Sequence, residues 1–139
     1  MLKIGILAVQ GDFAEHKLML TKLGVNVAEV RLPEQLEDIN GLIIPGGEST
    51  TISQLLDIFD IKNYIVKKAK SGMPIWGTCA GMIILASSLT DKKPIPLNLM
   101  NTVVSRNAFG RQIDSFEESI EIKSIGDPKY RGIFIRAPM

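Results

Sequence analysis

Four short apolar runs, three of them followed by sequence of helical character, constrain this chain more than any other feature. Residues 4–9 are apolar without interruption, as a strand buried on both faces of a parallel sheet must be. Gln10-Gly11-Asp12 then reads as a turn, with Asp12 placed to cap a helix over 13–23. Phe13, His16, Met19, Leu20 and Leu23 share one face of that helix, and Gly24 is suited to end it. Residues 25–30 form the second run, with valines at 25, 27 and 30. The third is Leu42-Ile43-Ile44, which stops at Pro45-Gly46-Gly47. Helices are expected over 51–59 and 62–69, the second halted by Gly72. Pro74-Ile75-Trp76 is the fourth run, and it leads through Gly77-Thr78-Cys79-Ala80-Gly81 into an apolar helix over 82–87. Strand alternating with helix in this way predicts a doubly wound α/β fold, a mostly parallel sheet flanked by helices.

The style changes after Asp91. Residues 91–96 carry two prolines and read as a loop. Strands are expected at 102–105, 117–123 and 133–135; Ile120 and Ile122 alternate with charges, as in a half-buried antiparallel strand. A length of 139 residues fits one domain, 1–139. The sequence stops at Arg136-Ala137-Pro138-Met139, straight after an apolar strand and with no helix to cover it. It therefore reads as a domain whose C-terminal portion is missing.

Composition narrows the function classes. Sixteen basic against fifteen acidic residues leave a net charge of +1, and the two signs are interspersed. That is no electrostatic footprint for nucleic acid or an anionic membrane. One cysteine and one histidine argue against a disulfide framework, a multi-cysteine metal site or a histidine-rich centre, so no metal is expected. The first apolar run is too short for a signal peptide and no run approaches a membrane span, so a cytoplasmic location is expected.

Cys79 is the centre of chemical interest. G-x-C-x-G between a strand and a helix is the nucleophile-elbow arrangement with Cys in place of Ser. The glycines allow a sharp turn where side chains would clash. A helix N-terminus favours thiolate, the nucleophilic form, and the Ala80 amide is placed to face an oxyanion. The bland alternative is an inert buried cysteine. Pro45-Gly46-Gly47-Glu48-Ser49-Thr50-Thr51 is the second signal. It lies at the carboxyl edge of a parallel sheet, where ligands bind, and its two glycines let amides converge on an anion. Its bland alternative is a turn with a Ser/Thr cap. No Gly-Lys-Ser/Thr follows, so it is not a P-loop.

Five segments, in order along the whole chain, carry a resemblance. They are Gln10-Gly11, residues 45–51, Gly77-Thr78-Cys79-Ala80-Gly81-Met82, residues 106–112 (Arg-Asn-Ala-Phe-Gly-Arg-Gln) and Phe134-Ile135-Arg136-Ala137-Pro138. Together they resemble the glutaminase subunits of pyridoxal 5′-phosphate synthase, triad-type class I glutamine amidotransferases of flavodoxin-like fold. Ala80 and Met82 stand where other class I branches usually have Leu and Gln. The resemblance implies that Cys79 attacks the carboxamide of L-glutamine and forms a glutamyl thioester, releasing ammonia. It implies an oxyanion hole from the amides of Gly47 and Ala80. It implies a glutamine site lined by Gly47, Glu48, Ser49, Arg106, Ile135 and Arg136, Arg106 being suited to a carboxylate. It implies no cofactor for the hydrolysis, and a synthase partner that takes the ammonia for vitamin B6 biosynthesis. Gln10, Gly11 and His16 fall where the resemblance puts the synthase contact.

The family mechanism also uses a His and a Glu in a His-Pro-Glu motif beyond Ile-Arg-Ala-Pro, and the sequence ends first. His16 cannot replace that histidine by pattern, since it lies within the first helix; a packed or interface histidine is the simpler reading. Arg111 and Asp114 read as structural partners, the lysines of 63–70 as a solvated face, and Trp76 as core. Two other functions compete. A Cys-elbow enzyme resembling DJ-1 and PfpI proteins would commonly carry His after the nucleophile, where this chain has Ala80, and would lack Gly-Gly-Glu-Ser. A non-catalytic scaffold form of the subunit would dock on the synthase without its own triad.

Overall fold

The computed structural model describes residues 1–106, 115–124, 126 and 129–139. They fall into two compact units, Met1–Val104 and Ser105–Met139.

The first unit holds β1 (Lys3–Leu7), α1 (Phe13–Lys22), β2 (Asn26–Val30), a 3₁₀ turn (Pro33–Leu36), β3 (Gly41–Ile44), α2 (Ser49–Ile58), α3 (Lys62–Lys70), β4 (Ile75–Gly77), α4 (Ala80–Leu85), β5 (Ala86–Leu89) and β6 (Met100–Val104). The four apolar runs pair as one sheet in the order β2-β1-β3-β4, every pairing parallel. The alternation of strand and helix therefore gives the parallel sheet it predicts.

The two faces of that sheet differ. Leu7, Leu42 and Ile44 point into the main core with Ile52 and Leu56 of α2, Ile65 of α3, and Ile84 and Leu85 of α4. At about 0.8 kcal/mol per buried CH₂, this cluster is the chief source of stability. On the opposite face Ile6 and Ile43 are buried side by side, and α1 packs over β1 and β2. Yet α1 buries none of its residues, and Met19 and Leu23 are 59% and 69% exposed. The apolar stripe on α1 is thus wider than the sheet surface beneath it. Trp76, expected in the core, is 62% exposed. It pairs with Ile43 on this thinly covered face, from β4 at the end of the sheet.

Helix boundaries follow the sequence closely, with instructive exceptions. α1 ends in a Schellman arrangement: Gly24 sits at φ +73°, its N–H bonds Thr21 O, and Val25 N–H bonds Leu20 O. Asp12 holds the N-cap position but its side chain makes no capping bond. The apolar helix expected over 82–87 begins earlier, at Ala80, and lasts six residues. Residues 86–89 instead form β5, which pairs with β6 in parallel rather than in the antiparallel style of the later strands. Met82 to Leu85 can be read as helix or strand, and the segment 97–99 decides: N–H groups of Leu97 and Leu99 bond the carbonyls of Ile84 and Leu85, drawing the chain out of the helix.

The second unit is an antiparallel pair, β7 (Phe116–Ile120) with β8 (Tyr130–Phe134). Phe116 stacks on Phe134 at 4.8 Å, and Arg131 forms an ion pair with Glu117 across the strands. The N–H of Met139 donates to Ser105 O at 2.9 Å, closing the ends of the unit on each other. Of the five resembling segments, residues 107–112 lie outside the described residues, as do Arg111 and Asp114.

Candidate active site

Three loops at the carboxyl ends of β1, β3 and β4 converge. The elbow after β4 is the tightest. Cys79 has φ +49° and ψ −105°, a conformation rare for a residue with a side chain, and its side chain is exposed. Such backbone costs on the order of 1–3 kcal/mol and persists only where its surroundings over-determine it. Thr78 N–H donates to Ile44 O at 3.1 Å, Gly81 N–H to Thr78 O at 2.8 Å, and Met82 N–H to Cys79 O at 3.0 Å. α4 passes so close to β3 that a Cβ on Gly81 would lie 2.1 Å from Ile44 O. The G-x-C-x-G spacing is a steric requirement of this turn. α4 has only six residues, so the field at Cys79 comes from the first amides of the turn rather than from a long macrodipole.

The loop after β3 lies against this elbow. A Cβ on Gly46 would stand 3.5 Å from Cys79 Cβ. The Gly46 carbonyl accepts the Asp12 N–H at 2.9 Å, so the Gly46–Gly47 peptide turns its N–H the opposite way. The Glu48 N–H donates to Gln10 Oε1 at 3.0 Å. Close approach explains the glycine in Gln10-Gly11: a Cβ on Gly11 would fall 2.0 Å from Gly46 O. Gln10 and Asp12 therefore shape the loop that bears Gly47. The sequence pattern offers Asp12 as a helix cap and gives no sign of either loop bond. Both bonds span more than thirty residues of chain, and no local pattern signals them.

Glu48 is the N-cap of α2. Its carboxylate accepts from Thr50 N–H at 3.1 Å, Thr51 N–H at 2.6 Å and the Thr51 hydroxyl at 2.8 Å. Partial burial pushes this carboxyl up, but the bonds from Thr51 and Thr50 outweigh it and hold it below the ordinary carboxylate value. The Ser/Thr cap considered from the sequence is thus a Glu cap whose donors are the threonines. Ser49 opens α2 and is buried.

His16 sits half-buried on α1. Its Nε2 and the Thr78 hydroxyl share a hydrogen bond at 3.3 Å, and its ring meets the edge of Trp76 with centroids 6.1 Å apart. The structure so brings Gln10, Gly11, His16, Gly47, Glu48, Ser49, Cys79 and Ala80 into the first unit. Arg106, Ile135 and Arg136 belong to the second. Arg106 follows Ser105 directly, and Arg136 lies three residues before Met139, the partner of Ser105, so the two arginines share one end of that unit. Among the described residues no group of three His, Cys, Asp or Glu could hold a metal ion. No helix there is long and apolar enough to cross a membrane.

A parallel α/β sheet with a strained cysteine elbow and a glycine loop closed upon it defines a class of cysteine-nucleophile enzymes. Within that class the chain belongs to the SNO glutamine amidotransferase family, whose model matches residues 6–139. It is 54% identical over 140 residues to the pyridoxal 5′-phosphate synthase subunit PdxT of Dehalococcoides mccartyi, covering 99% of this chain and 72% of that protein. It is 48% identical to the PdxT subunit of Thermosipho africanus, with the same shares covered. A crystal structure of a glutamine amidotransferase superposes with a TM-score of 0.89 at 45% identity, over 97% of this chain and 71% of that one. A peptidase E-like protein from Listeria monocytogenes shares the fold, with a TM-score of 0.62 at 16% identity over 72% of this chain and 63% of that one.

Proposed function

We propose that this chain carries the nucleophile elbow of the glutaminase subunit of a pyridoxal 5′-phosphate synthase, the subunit that hydrolyses L-glutamine and passes ammonia to a synthase partner. The observation that carries the reading is the closure of the Gly46-Gly47 loop on the Cys79 elbow. We read both units as parts of one amidotransferase domain, since the family match runs across them, and we place its action in the cytoplasm.

Cys79 Sγ attacks the carboxamide carbon of glutamine, and the carbonyl π electrons move onto oxygen. The amides of Gly47 and Ala80 hold that oxyanion, each such donor contributing about 10²–10³ in rate. Collapse breaks the C–N bond, the amide nitrogen takes the proton given up by the thiol and leaves as ammonia, and a glutamyl thioester remains. Water then cleaves the C–S bond, giving glutamate and restoring the thiol. Glutamine-binding roles are assigned in this reading to Glu48 and Ser49 of the first unit and to Arg106, Ile135 and Arg136 of the second. A guanidinium matches the substrate carboxylate as a two-pronged donor.

The test is covalent capture. A glutamine-mimicking chloroketone is expected to add once, at Cys79, by intact-mass and peptide mass spectrometry, and L-glutamine should slow the addition. Labelling elsewhere, with none at Cys79, would sink the assignment.

A further inference from the structure

We propose that His16 is a positioning residue for the nucleophile: bonded to the Thr78 hydroxyl, its ring pins the residue before Cys79 and keeps the elbow in its strained form. The proposal rests on the glutaminase reading only in naming Cys79 as the nucleophile.

The bonds that hold the elbow from β3 and α4 are main chain to main chain: Thr78 N–H to Ile44 O, Gly81 N–H to Thr78 O, and Met82 and Ile83 N–H to Cys79 O. They fix the peptide planes on either side of Cys79. They leave the Thr78 side chain, at the outer wall of the turn, to be held from elsewhere. His16 holds it, across 62 residues of chain. The approach comes from the face of the sheet opposite the main core, where Trp76 lies edge-on to the same ring.

α1 makes an unusual support. It has no buried residue, so packing alone ties it weakly to the sheet. Polar links fix its N-terminal half instead. The N–H of Asp12, just before α1, holds Gly46 O, and His16, one turn in, holds Thr78. One short segment thus grips both loops that meet at Cys79. The imidazole suits this post because a half-buried polar ring can meet the hydroxyl on one side and an aromatic edge on the other.

The experiment measures second-order labelling rates at Cys79 with iodoacetamide and with the glutamine-mimicking chloroketone, together with Tm. The variants are His16→Ala, Thr78→Val, the double variant and His16→Gln. His16→Ala and Thr78→Val should each slow both reagents about fivefold, as loss of one hydrogen bond supports. The double variant should be no slower than either single. A glutamine amide can donate or accept, so His16→Gln should come within twofold of wild type whichever ring tautomer is native. Additive losses in the double variant, or His16→Ala labelling at the wild-type rate, would overturn the proposal. So would an equal loss in His16→Gln and His16→Ala at matched Tm. If the chloroketone fails in wild type while the iodoacetamide pattern holds, the glutaminase reading falls and the role of His16 stands.

Discussion

Gly47 shows how much one missing side chain decides. A Cβ there would meet Gln10 Oε1 at 2.6 Å and Gly11 Cα at 3.0 Å. Gln10 can swing aside, but it would then release the Glu48 N–H that it accepts. Gly47→Val is therefore expected to fold, with Tm within a few degrees of wild type, while the loop amide loses its aim. Turnover measured by ammonia release in a catalytically competent protein should drop about 10²–10³-fold. A drop under threefold would remove Gly47 from the oxyanion hole. At this scale the sequence is legible where sterics are local. G-x-C-x-G announces the elbow because Gly81 must slide past Ile44. It is silent on Asp12 holding Gly46, Gln10 holding Glu48 and His16 holding Thr78, since each bond joins residues from different strand–helix units.

Among the elements, α2 depends on a charge. The Glu48 carboxylate satisfies two of the helix's first N–H groups, and loss of such a cap costs about 1 kcal/mol. Glu48→Ala should lower Tm by about 3 °C. The pH dependence has a definite sign. In the folded state this carboxyl titrates below the ordinary carboxylate value, so near that ordinary value the unfolded chain binds more protons than the folded one. Its contribution is full above the unfolded value and is lost as pH falls through the folded one. Urea titrations at pH 7 and at about pH 3.5 should show the wild type losing part of its advantage over Glu48→Gln in acid. An equal gap at both pH values would deny the charge its role. Sequence patterns predict α1, α2 and α3 to within a few residues, because periodicity and glycine stops are strong signals there. α4 and β5 are misjudged, since apolar sequence suits either state and the ties to residues 97–99 are tertiary. The exposed apolar stripe on α1 was unreadable for a related reason: periodicity says which residues share a face, and only the width of the sheet below says how many of them it covers.

For the molecule as a whole, chemistry and fold come apart in a way that can be measured. The elbow and the glycine loop both lie in the first unit, so the parts needed to make a reactive thiol are present together. Thiolate alone suffices for reaction with a strong electrophile. Glutamine turnover asks for more: a group to take the thiol proton, to protonate departing ammonia and to activate water on the thioester. One oriented histidine serves all of these in cysteine and serine hydrolases. Residues 1–139 contain a single histidine, and its Nε2 is engaged with the Thr78 hydroxyl. A polypeptide of these 139 residues is therefore expected to label at Cys79 yet release no ammonia from L-glutamine in the steady state, with or without the synthase. Labelling and ammonia release should be followed on the same preparation, beside a relative of full family length as the positive control. Turnover close to that control would show that the protons move by another route. His16→Ala would then separate the two roles open to this ring, since a proton carrier would lose turnover far more than it loses labelling rate, while a positioning residue would lose both in step.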